Sequence, residues 1–168
     1  MRRIVTGNGR DGRSTVVHDG GPPTVFRFGT EADPHAATPE HLSELPPSLA
    51  AETSAVAELW ATDEVLDAAS AAAATDATAT GDWDVECPPG GTRCRLVRYG
   101  PGLTAPLHRT ATLDYDMVLA GSVDLLLEDG TEVAMTADDV VVIPGIVHGW
   151  RAGLEGCTMF IVMSGLAG

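Results

Sequence analysis

Residues 102–121 read GLTAPLHRTATLDYDMVLAG and residues 138–150 read DDVVVIPGIVHGW. Between and within them, short apolar–polar alternations are broken by Gly121, Gly130 and Gly145. Period-two segments punctuated by glycine are antiparallel strands and turns, and a series of them predicts a sandwich or small barrel. In the first segment His108, Thr110, Thr112, Asp114 and Asp116 take the even positions. Arg109, Ala111, Leu113, Tyr115 and Met117 take the odd ones. Side chains alternate across a strand, so the even set shares one face. That face holds an imidazole and two carboxylates, and convergent polar groups inside a barrel make a site rather than a core. Trp150 shares the parity of His148 and is expected to wall the same pocket, while Tyr115, Met117 and Arg109 point outward.

Upstream, Arg93 to Tyr99 alternates and predicts the first central strand. Leu113–Leu119, Ser122–Glu128, Glu132–Met135, Val140–Ile143, His148–Arg151 and Thr158–Met163 predict further strands, with Asp129-Gly130 as a hairpin turn. Three stretches follow: amino-terminal strands at 1–28, packing on the barrel or a partner subunit; an acidic Ala/Pro-rich loop with a short helix at 29–90; and the barrel at 91–168. The first holds β-rich runs at Arg2–Thr6, Thr15–His18 and Thr24–Phe28, separated by turn-forming residues. In the second, Pro34, Pro39, Pro46 and Pro47 break the chain into loop, and His35 and His41 are expected at the surface. From Leu49 the spacing of Val56, Leu59, Trp60, Val65 and Leu66 predicts a helix. The alternative for 58–63 is a strand and turn that offers Trp60 to the pocket, so Trp60 is a candidate substrate contact.

The chain of 168 residues is long enough for one domain with a real core. Its net charge is −14, and no basic face is evident, which argues against nucleic acid as a partner. All ten basic residues are arginine. The absence of lysine excludes Schiff-base chemistry on a lysine amine. Three cysteines, Cys87, Cys94 and Cys157, do not make an even disulfide framework. No apolar run approaches membrane-spanning length. The expectation is a soluble cytoplasmic protein with a small-molecule substrate and no membrane partner, paired as a homodimer through its outward residues and exposed strand edges.

The spacing around His108 resembles the cupins, whose first motif runs G, five residues, HxH, three or four residues, E, six residues, G. Gly102 is followed by five residues and His108. Thr110 stands at the second His, Asp114 at the Glu, and Gly121 closes the motif. The second cupin motif centres on a P-x-G-x-x-H turn, and Ile143-Pro144-Gly145-Ile146-Val147-His148 keeps its Gly and His with the Pro displaced by one. More narrowly, the HRT…DY signature is similar to a subgroup of small bacterial and fungal cupins.

The resemblance implies an all-β, jelly-roll-like antiparallel barrel with an amino-terminal strand extension and a short helical or loop insertion. It also implies a divalent metal (Fe, Mn, Zn or Ni) on His108, Asp114 and His148. Asp116 would substitute for the lost ligand or act as a base, and Thr110 and Thr112 would orient water or substrate. The implied activity is metal-assisted decarboxylation, dehydration, isomerisation or cyclisation of a small carbonyl-bearing or aromatic metabolite. The alternatives are an Fe(II)-dependent dioxygenase and a non-catalytic small-molecule-binding cupin. Without metal, His108 would be a general base oriented by Asp114 or Asp116, with His148 as the acid.

Overall fold

The computed structural model describes residues 1–29, 39–67, 71, 74, 76–80 and 85–167. His35, Pro34 and half of the alanine-rich run from 68 to 79 lie outside the described residues. Eleven strands are present among those described: β1 (Arg3–Asn8), β2 (Ser14–Gly20), β3 (Thr24–Phe28), β4 (Glu40–Leu42), β5 (Ser54–Thr62), β6 (Thr92–Tyr99), β7 (Thr104–His108), β8 (Thr112–Leu127), β9 (Glu132–Thr136), β10 (Val140–Pro144) and β11 (His148–Gly165). A 3-10 turn lies at Ala77–Thr80, and no described helix is long and apolar enough to cross a membrane.

β1 and β2 pair as a hairpin of their own. The other nine strands form one antiparallel sheet in the order β10-β8-β11-β6-β5-β3-β4, with β7 added on β11 and β9 on β8. The two long strands tie its halves together. The first half of β8 pairs with β10 and with the second half of β11; its second half pairs with β9 and with the start of β11. Each long strand bends where its register jumps, between Ala152 and Cys157 on β11 and at Gly121 on β8. Pairs expected as separate strands, Leu113–Leu119 with Ser122–Glu128 and His148–Arg151 with Thr158–Met163, are therefore continuous. The bend requires glycine. Gly121 has a φ of +76°, and a Cβ there would sit 2.1 Å from the carbonyl oxygen of Gly156. Gly156 has a φ of +77°, and a Cβ on it would meet the Tyr99 carbonyl at 2.5 Å.

The helix expected from Leu49 is not formed over 54–62, where β5 lies between β3 and β6. The physical reason is burial on both faces. Val56 packs inward with Phe26, Phe28 and Val97, while Ala55 and Ala57 pack outward with Val25, Leu45 and Leu96. A strand covered on both sides loses its apolar–polar alternation, and the remaining apolar spacing mimics a helix.

A third cluster is built on Val118, Val123, Ile143, Trp150 and Met159, in the half of the sheet around the bends. Tyr115 is exposed on the outer face as expected, Met117 is half-buried and Arg109 is exposed. His41 is also exposed, its ring edge against Phe26.

Candidate active site

The inner face of the sheet lines a cavity of about 120 Å³. Side chains from β3, β5, β6, β7, β8 and β11 line it. His108, Thr110, Asp114, Asp116, His148 and Trp150 are all on its wall. The even set expected on one strand is interrupted, because β7 ends at His108 and β8 begins at Thr112. Thr110, Thr112, Asp114 and Asp116 are nevertheless all buried, so the inward parity survives the break.

His108 and His148 are register partners on β7 and β11, with ring centroids 4.6 Å apart. Each ring donates its Nδ1–H to the backbone carbonyl two residues before it, His108 to Pro106 at 2.9 Å and His148 to Ile146 at 3.0 Å. A carbonyl can only accept, so the proton of each neutral ring sits on Nδ1 and the basic nitrogen is Nε2. Burial pushes the His148 pKa down, assisted by the neighbouring His108 and opposed by the Ile146 carbonyl. A neutral His148 is a proton acceptor, which reverses its expected part as the acid. Trp150 meets His148 edge-on at 5.8 Å.

Asp114 and Asp116 lie deeper, 4% and 2% exposed. Burial raises the Asp114 pKa, while the hydroxyls of Thr112 and Thr110 and the charges of Arg95 and His108 pull it back. Asp116 is pushed up to about 8, by burial first and then by the Asp114 charge. Each carboxylate has one oxygen, Oδ1, that is buried without a hydrogen-bond partner among the described residues.

The metal set implied by the family resemblance comes together only in part. The two imidazoles are adjacent, but among the described residues no group of three His, Cys, Asp or Glu side chains is placed to hold a metal ion. Two departures from the cupin pattern account for this. Asp114 is one methylene shorter than Glu. Thr110 stands at the second His position and spends its hydroxyl on Thr112 at 2.7 Å. The residues present therefore do not fit a preformed three-ligand centre. Thr112, fully buried, is not on the cavity wall.

Trp60 is not there either. The β5–β6 register slips between Glu58 and Trp60, so Trp60 pairs with Cys94. That bulge turns Trp60 to the outer face, where it lines a separate recess with Arg3, Val5 and Leu59.

Three inward residues escaped the reading of the sequence: Arg95, Tyr99 and Glu58. Arg95 and Tyr99 share the odd parity of Val97 on β6, a signal visible in the alternation, and line the cavity together with Val97. Arg95 Nε is 2.7 Å from Glu58 Oε1 in a buried ion pair, and its Nη1 donates to the Val85 carbonyl at 3.1 Å. Burial pushes the Glu58 pKa up against the pull of Arg95. Nothing local predicts this pair, because Glu58 lies in the stretch that reads as helix.

No model of a known protein family matches the chain. It is 41% identical over 63 residues to phomopsin biosynthesis cluster protein C′ of Diaporthe leptostromiformis, covering 38% of this chain and 33% of the relative. It is 37% identical over 78 residues to a cupin-domain-containing oxidoreductase of Neurospora crassa, covering 44% and 40%. The chain thus spans about a third to two fifths of the length of these curated relatives. Among solved structures it matches an RmlC-like cupin from Desulfovibrio desulfuricans with a TM-score of 0.40 and 17% identity, covering 44% of this chain and 71% of that one.

Proposed function

We propose that this chain is a small cupin, a reading supported by its similarity to cupin-domain-containing relatives, and that its cavity is an active site for proton transfer on a small carbonyl-bearing or aromatic metabolite. The reaction class is dehydration, isomerisation, cyclisation or decarboxylation through an enolate-like intermediate. The observation that carries this reading is the histidine pair, two adjacent rings whose basic nitrogens are fixed as Nε2 by identical backbone hydrogen bonds. A base must be held in one tautomer to take a proton from carbon.

His148 is the base and His108 its partner across the ladder. Asp116, buried on the cavity wall, donates a proton to the developing oxyanion, and Trp150 closes one side. Thr110 and Thr112 hold Asp114 in place. The relatives named oxidoreductases favour a second reading, oxidation of the same class of substrate, in which a divalent metal would have to draw ligands from water or substrate beyond the two imidazoles.

The test uses a panel of small ketones, keto acids and hydroxy acids in deuterated water, with the solvent-derived label at the α-carbon read by NMR. Exchange by wild type that His148→Ala abolishes supports the proposal. Elemental analysis and oxygen uptake after Fe(II) loading run alongside. Oxygen consumption without exchange would move the assignment to the oxidative reading. A cavity that binds members of the panel and neither exchanges nor oxidises them would leave a purely binding cupin.

A further inference from the structure

We propose that the ligand of this cavity carries an ammonium group, bound at the unmet carboxyl oxygens of Asp114 and Asp116. The inference rests on the cavity being the functional site argued above and names the chemical class that site takes.

Both carboxylates are more than nine-tenths buried and both lie on the cavity wall. Each keeps Oδ1 without a hydrogen-bond partner among the described residues. Native proteins leave few buried acceptors unmet, because each costs its full desolvation. Two such atoms on one face of one strand, on residues whose Cα atoms are about 7 Å apart, are an acceptor pair waiting for donors. The cation on the same wall, Arg95, already has its own carboxylate in Glu58 at 2.7 Å, and its charge also acts on Asp114.

The charge balance then selects among ligands. An anionic ligand would set a like charge against the Asp114 carboxylate and bring acceptors where the two unmet oxygens need donors. A hydroxyl group satisfies an oxygen but brings no compensating charge. An ammonium has three donors and no acceptor, and it supplies the missing positive charge. The indole of Trp150 on the same wall is a surface that attracts cations.

Calorimetric titration of the full chain at neutral pH with benzylamine, benzyl alcohol and benzoate tests this, since the three differ in charge and little in size. The expected result is saturable binding of benzylamine, about tenfold or more tighter than benzyl alcohol, and no binding of benzoate. Asp114→Asn and Asp116→Asn should each weaken benzylamine by about tenfold, with thermal melts confirming that the variants fold. If a variant fails to fold, the ligand series on wild type still decides. Benzoate or benzyl alcohol binding as tightly as benzylamine overturns the inference and leaves the cavity reading intact. So does benzylamine affinity unchanged in both folded variants. Binding of none of the three removes both.

Discussion

His108 and His148 face each other as register partners on adjacent antiparallel strands, their rings 4.6 Å apart. The pairing places the end of β7 against the start of β11, and it makes one site of two distant segments. Both rings are held by the carbonyl two residues upstream, so the arrangement is repeated by local geometry and completed by the sheet.

The tautomer is the most direct consequence. Nitrogen-15 NMR at neutral pH should find the His148 ring with Nδ1 protonated and Nε2 not. His148 should resist protonation below the ordinary imidazole range, because burial depresses its pKa. A folded-state pKa below the unfolded value means that the unfolded chain takes up the proton first. Stability from this residue is therefore lost as pH falls below about 6.5. A doubly protonated His148 at pH 7 would refute the assignment of this ring as the base.

Asp116 acts with the opposite sign. Its folded pKa is raised to about 8 from 3.8, so folding favours the protonated acid. Its contribution is fully present below the unfolded value and declines as pH rises through that window, flattening above it. Asp116→Asn removes the titration. The variant should gain stability relative to wild type from about pH 4 to about pH 8, measured as the difference in melting temperature at several pH values. A constant difference across that range would show that Asp116 is ionised throughout.

The bend at Gly121 is predicted to be intolerant. Gly121→Ala forces a Cβ to within 2.1 Å of the Gly156 carbonyl in addition to the strained φ, so the expected loss is about 3 kcal/mol or more by chemical denaturation. Gly130→Ala is the control. Gly130 also has a positive φ, +85°, but nothing lies within 4 Å of its Cβ position, and the expected loss is only about 1–2 kcal/mol. Equal losses in the two variants would mean that the β8–β11 approach is looser than described.

The Arg95–Glu58 pair yields a double-mutant prediction. Arg95→Met leaves Glu58 buried without its cation and should cost about 3–5 kcal/mol. Arg95→Met with Glu58→Leu should recover most of that, because two apolar groups of similar volume replace a pair whose desolvation was offset only by its own attraction. Denaturation midpoints of the two single variants and the double variant measure the coupling. Additive losses would indicate that the two side chains do not depend on each other.

The sequence by itself determined the alternation of residues 112–118, the inward parity of His108, Thr110, Asp114 and Asp116, the turns at Gly130 and Gly145, and the outward position of Tyr115. These follow from local rules: a strand has period two, and glycine supplies positive φ. Four things were decided only by the tertiary structure. One is the strand at 54–62, whose alternation is erased by packing on both faces. Another is the bulge after Glu58, one residue that sends Trp60 to the outer surface while Glu58 stays inside. A third is the partnership of Arg95 with Glu58, and the fourth is the failure of Asp114 to join the histidines as a third ligand. Each depends on register or on side-chain reach between strands distant in the chain. A one-residue slip reverses which face a side chain takes, and no local pattern encodes it.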